Sequence, residues 1–149
     1  MKWKLLKYFY PNEAWGDPEK MDFRLLVLLD YFRGSVPTGC KVKIHRGWAS
    51  DNSKSLHYDG QAVDFHVIGC GFLDAEYHLK NFLIRRGLMN EVEFGIYPDW
   101  NDPGFHLGIQ ANGGSWAGRY RQKDNGRTEQ YYIGYKEGMD YAKKKFKVA

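Results

Sequence analysis

Two histidines and one aspartate carry the strongest chemical signal in this chain. The segment Ser55-Leu56-His57-Tyr58-Asp59-Gly60-Gln61-Ala62-Val63-Asp64 supplies His57 and Asp64, and His106 follows downstream. Zinc needs a few nitrogen, sulfur or oxygen donors that converge from a rigid frame. His57 falls in a loop entering a strand, and Asp64 falls within that strand on its non-core face. Gly60 permits the backbone turn that brings the strand back under the histidine. Ala62 shares a face with Asp64 and is small enough to leave room beside a metal. His106 alternates against Phe105 and Leu107, so it too leaves the core. Two histidines and a carboxylate leave a fourth position for water, as in a catalytic zinc site rather than a closed structural one.

Such donors need strands to hold them, and alternation provides several. Lys41 to Trp48 alternates Val42 and Ile44 with Lys43 and His45. In Gln61 to Ile68, Val63, Phe65 and Val67 point one way while Ala62, Asp64 and His66 point the other. Val92, Phe94 and Ile96 share a face, as do Phe105, Leu107 and Ile109. Three helices are expected beside them. The first runs from about Pro18 to Arg33, with Asp17 as N-cap, Pro18 at the first helical position and Gly34 ending it. The second, Asp74 to Arg86, buries Ala75, Leu79, Phe82 and Leu83 and is closed by Gly87. The third, Tyr135 to Lys147, puts Tyr135, Met139, Ala142 and Phe146 on one side. Gly113 to Glu129 is rich in Gly, Arg and polar residues and reads as loop with at most a short strand. The expected class is α+β, a small sheet with helices against one side.

A chain of 149 residues fits one compact domain, here taken as 1–149, and leaves little room for a second. Its 43% hydrophobic and 27% charged residues are ordinary for a soluble globular protein, and no apolar run reaches bilayer length. The start, Met1-Lys2-Trp3-Lys4-Leu5-Leu6-Lys7, lacks the apolar centre of a secretory signal, so synthesis in the cytoplasm is expected. Cys40 and Cys70 are too few for a disulfide framework and read as free, buried thiols. The net charge of +4 and pI near 9.0 suit an acidic partner, nucleic acid or anionic cell wall. Much of that excess sits in Lys143-Lys144-Lys145-Phe146-Lys147, which reads as the solvated face of the last helix. With no nucleic-acid motif present, neither a nucleic-acid nor a membrane partner is expected, and the chain is read as a monomer.

The pattern Ser-x-His-x-x-Gly-x-Ala-x-Asp, followed by a second histidine, resembles the zinc D-Ala-D-Ala carboxypeptidases and related phage endolysin peptidases. Ser55-Leu56-His57-Tyr58, with the upstream Gly47-Trp48, resembles even more closely the signalling domain of hedgehog proteins, which shares that fold. The resemblance spans about Phe9 to Gln110. It implies zinc at His57, Asp64 and His106, and a central antiparallel sheet flanked by helices. It also implies a zinc metallopeptidase acting on peptidoglycan stem peptides, as carboxypeptidase or endopeptidase, with a phage lysin acting at the host cell wall as one setting.

This chain departs from the pattern at three places. Many bacterial relatives carry an arginine two residues after the glycine of the preceding strand, where it can bind a substrate carboxylate. Here Gly47 is followed by Trp48 and Ala49, and Arg46 is the nearby substitute, with Arg119 a second option. Many also carry an acid two residues after the second histidine, where this chain has Gly108. Relatives place the general base a few residues before that histidine, and this chain offers Asp99 and Asp102 as the groups that would move the proton. Ser55, His66 and Trp48 join Arg46 as candidate substrate contacts, and Tyr58, Tyr97 and Trp100 are aromatics able to pack on sugar or peptide. His45 and His78 read as surface histidines. The rival expectation, favoured by the missing arginine and the hedgehog-like wording, is a zinc-stabilised binding module without peptidase activity.

Overall fold

A computed structural model describes residues 2–109 and 113–147. Gln110, where the resembling stretch ends, lies outside the described residues. The fold is α+β: a six-stranded mixed sheet and three α-helices. In chain order these are α1 (Phe23–Ser35), β1 (Lys41–Arg46), β2 (Ala62–Ile68), α2 (Phe72–Arg85), β3 (Glu93–Tyr97), β4 (Gly104–Gly108), β5 (Ser115–Gln122), β6 (Thr128–Gly134) and α3 (Tyr135–Phe146).

The strands lie in the order β1-β2-β4-β3-β5-β6. Every neighbouring pair is antiparallel except β3 and β5, which run parallel, so the expectation of an antiparallel sheet is corrected to a mixed one. The cause is topological. β4 pairs with β3 and β2, so β5, following β4, passes β3 and adds to its far edge in the same direction as β3.

The helices cover one face of the sheet. Phe32 of α1 meets Phe65 of β2, Phe72 of α2 stacks on Phe105 of β4, and Tyr135 of α3 tilts against Phe94 of β3. The inward residues of the strands, Val63, Phe65, Phe94, Ile96, Phe105 and Leu107 among them, are wholly buried there. The opposite face is open, and it carries the polar members of the alternation.

Two elements differ from the sequence reading. The first helix is split. Asp17 caps only a short 3-10 turn, Pro18–Lys20, and Met21 then adopts an extended backbone. Asp22 starts α1 by accepting the Arg24 amide, and its own N–H donates to the Gly60 carbonyl at 2.9 Å, which ties the helix start to the His57 loop. Gly34 lies within the helix rather than ending it. The stop is at Val36, held extended because Pro37 follows. The second difference is Gly113 to Glu129, which holds β5 and the start of β6 rather than loop. Only Ala117 and Gly118 are buried in β5. The hairpin instead rests on its backbone ladder and on cross-strand pairs such as Arg121 with Glu129. Asn125-Gly126, with Gly126 at φ 81°, turns it.

Candidate metal centre

β2 and β4 place Asp64 and His106 directly opposite each other on the open face. His57 arrives from the loop between β1 and β2, and local bonds lock that loop. The His57 amide donates to Ser55 Oγ, the Gly60 amide donates to the His57 carbonyl, and Gln61 closes back on Leu56. Gly60 adopts φ 69°, and a Cβ there would lie 1.9 Å from the Lys20 carbonyl oxygen, so only glycine permits both the turn and the close approach.

Each of the three residues is at most 6% exposed, and their ligand atoms lie within 4.8 Å of one another. The Nε2 of His57 is 3.4 Å from Asp64 Oδ2, and the Nδ1 of His106 is 2.9 Å from Asp64 Oδ1. The Nδ1 of His57 lies 2.8 Å from the Gly47 carbonyl oxygen, which can only accept. That nitrogen therefore carries a proton, and Nε2 is turned inward toward Asp64, the orientation expected of a metal ligand held by a backbone carbonyl. Two imidazole nitrogens and a carboxylate oxygen, buried and converging, fit a metal ion. A buried carboxylate also needs a positive partner, and a metal or a protonated histidine can supply it.

Burial pushes the Asp64 carboxyl up, but hydrogen bonds and charge from His106 and His57 outweigh it and hold the group well below the usual carboxylate range. Burial pushes His106 down, yet Asp64 and Glu93 outweigh it and raise the ring to about 9. The metal-free centre is thus an ionised aspartate facing a protonated histidine. It stands open to a cleft of about 660 Å³, whose walls include Arg46, Trp116, Tyr120 and Tyr132.

Of the other residues singled out in the sequence, Arg46, Ser55, Tyr97 and Trp100 reach this cleft. Arg46 sits beside Asp64 in the β1–β2 register, after a bulge at His45, and its guanidinium pairs with Asp51 at 2.7 Å. Trp48 packs instead against Tyr58, with the Lys20 ammonium 4.0 Å from its ring centroid. His66 shares the open face with Asp64 but turns its ring to His45, which is exposed as the sequence suggested and forms part of the same wall. Asp102 is exposed and lines a continuation of the cleft together with Asp64, Arg46 and Trp100. Tyr97 stacks on Trp100 at 3.8 Å, and its hydroxyl is 3.4 Å from Asp64 Oδ1.

Asp99 is placed differently. Its Oδ2 accepts from Arg119 Nε and the Tyr120 amide, and its Oδ1 accepts from the Tyr141 hydroxyl at 2.6 Å with Lys145 Nζ at 3.4 Å. A carboxylate has about four acceptor positions, so these donors occupy it fully. The same contacts draw in Arg119 and Lys145, the latter also donating to the Pro98 carbonyl, so the last helix uses part of its positive charge as a brace. Burial pushes the Asp99 carboxyl up, but Tyr141, the Tyr120 amide and Arg119 outweigh it and hold it at about 2. The depressed value means stability that is present above the ordinary carboxylate pKa of about 3.9 and lost as pH falls toward 2. Asp99→Asn is accordingly expected to lower stability at pH 7 by about 1.5–3 kcal/mol, the range for hydrogen bonds to a charged group, while metal content stays unchanged. The gap from the unsubstituted protein should close as both are melted at lower pH. An unchanged melting curve at pH 7 would contradict the bracing role.

Glu93 is the residue that sequence reasoning passed over. It lies between Val92 and Phe94 and so faces away from the core, and its Oε1 reaches 2.6 Å from His106 Nε2. His106 and Glu93 contact each other because β3 pairs with β4, which no spacing in the sequence announces. Cys40 is buried and Cys70 half-buried, and both thiols are free. The sequence matches no known protein-family model and no curated protein, so the convergence of His57, Asp64 and His106 carries the functional reading.

Proposed function

We propose that this protein is a zinc metallopeptidase acting on peptidoglycan stem peptides, with the fold of the D-Ala-D-Ala carboxypeptidases and the hedgehog signalling domain. The observation that carries this reading is the buried His57-Asp64-His106 cluster at the floor of an open cleft. Two histidines and one carboxylate are a donor set suited to zinc with one position left open. When bound, zinc would polarise a scissile carbonyl and lower the pKa of water at the open position to roughly 7.

The chain's own residues do the rest. His57 and His106 are held by Gly47 and by their strand, so the donors need no rearrangement. Asp102 takes the proton and passes it to the leaving amine, since Asp99 is committed to four donors and Asp102 is exposed on the cleft. Arg46 binds the substrate carboxylate by exchanging Asp51 for it. A phage lysin that meets its substrate at the host cell wall is the setting that suits this chemistry.

Incubation of purified muropeptides with the protein, with and without chelator and read by mass, tests the proposal. Stem peptides should be shortened only without chelator. Asp102→Asn should keep its zinc and lose about a hundredfold or more in turnover. The Arg46–Asp51 ion pair favours the rival reading, a zinc-stabilised binding module, because Asp51 competes with a substrate carboxylate for the guanidinium. A protein that holds zinc yet cleaves no stem peptide across a broad panel decides for the module.

A further inference from the structure

We propose that Glu93 is the positioning residue for His106, orienting the ring so that Nδ1, not Nε2, is presented to a metal. This rests on the metal-binding reading of the His57-Asp64-His106 cluster and not on any peptidase activity. His57 and His106 are oriented by different means. His57 is fixed by a backbone carbonyl within its own loop, whereas His106 has no such carbonyl. Its Nδ1 already faces Asp64, and its Nε2 is buried with no hydrogen-bond partner in line with the N–H among the described residues. The Glu93 carboxylate lies 2.6 Å from that nitrogen, off the N–H axis, and is the anionic group placed to orient it.

The strand register explains why the acid comes from β3. Gly108 lies two residues after His106 on the same face of β4 and pairs across the ladder with Glu93. A Cβ at position 108 would sit 2.8 Å from Leu56 Cδ1, the flexible end of a side chain that must give way, 3.4 Å from His106 Nε2 and 3.5 Å from Glu93 Cβ. The bare backbone of Gly108 leaves that side of the ring open, and Glu93 fills it from the next strand. The rest of the ring is confined by Trp116, 5.0 Å away between centroids, which itself lies flat over Gly95. A carboxylate on the outer nitrogen of a metal-bound histidine fixes its orientation and raises its basicity, and losing such a group typically costs 10–100-fold in metal affinity.

Zinc affinity measured on the full chain by chelator competition tests this, with nitrogen-15 spectra of the His106 ring on the zinc-loaded protein as a second readout. Glu93→Ala should bind zinc about 10–100-fold more weakly than the unsubstituted protein. Glu93→Ala combined with Gly108→Asp should recover most of that loss, because position 108 offers a carboxylate to the same side of the ring. The spectra should show metal at Nδ1 and a proton at Nε2. An affinity for Glu93→Ala within about twofold of the unsubstituted protein, below the range for such a group, overturns the proposal, as does metal at Nε2. No recovery in the double variant also overturns it, assigning the loss to packing. If the unsubstituted protein takes up no zinc, the metal reading of the cluster fails, and this proposal with it.

Discussion

Replacing Asp64 with alanine is expected to remove zinc from a protein that stays folded, while replacing its neighbour Phe65 should unfold the protein. The two side chains leave β2 on opposite faces. Asp64 lies against His57 and His106 under the cleft, and Phe65 is fully buried against Phe32 and Phe105. Loss of a direct ligand should weaken zinc binding by more than about a hundredfold, beyond what removal of a merely orienting group costs. The fold survives because His106, once deprived of Asp64, keeps Glu93 as a counter-charge and can also give up its proton instead of remaining charged in the interior. Phe65→Ala opens a cavity between helix and sheet at a cost of about 3–5 kcal/mol, a large part of the stability of a domain this size. His66→Ala should retain zinc, since its ring turns to His45 and not to the cluster. Metal content and melting temperature of the three variants decide the matter. Zinc retained in Asp64→Ala and lost from a stably folded Phe65→Ala would mean that the strand is out of register by one residue, which turns every side chain to the other face.

The second large effect is on pH. In the metal-free protein His106 is raised to about 9, so at neutral pH the ring carries a proton that an incoming metal must displace. Asp64, held well below the usual range, is already ionised and adds no dependence above about pH 5. Apparent zinc affinity should therefore rise about tenfold from pH 7 to pH 8 and then level off, about fiftyfold over the interval to pH 9, where half the rings have lost the proton. Calorimetric titrations at pH 7 in buffers of different ionisation enthalpy should report about one proton released per zinc bound. A flat affinity profile with no proton release would show that His106 is neutral before the metal arrives. The sign for stability follows from the same raised value. Protonated His106 stabilises the metal-free fold fully below its unfolded pKa of about 6.5, and that contribution fades as pH rises through about 9.

What the chain states by itself is local. The turn at Gly60 and the alternation around Asp64 and His106 place three donors on non-core faces, and each inference needs only the period of one strand. The stripes of α2 and α3 are legible for the same reason, and their bounds, Phe72–Arg85 and Tyr135–Phe146, lie close to those expected. The break at Met21 was hidden because Asp17-Pro18 is itself a good helix start, and only the bond from Asp22 to Gly60 shows why the chain begins its helix again. β5 and β6 were hidden because most of their residues are exposed or half-buried, which weakens the alternation on which strand reading depends. The parallel pairing of β3 with β5 is likewise a matter of which edge was free. Tertiary structure alone decided the roles of the acids. Asp99 is drawn from the cleft by Arg119, Tyr120, Tyr141 and Lys145, all distant in sequence, while Glu93 is brought to His106 by the β3–β4 register. A strand's periodicity says which way a side chain points, but its neighbour across the ladder depends on the order in which strands are laid side by side.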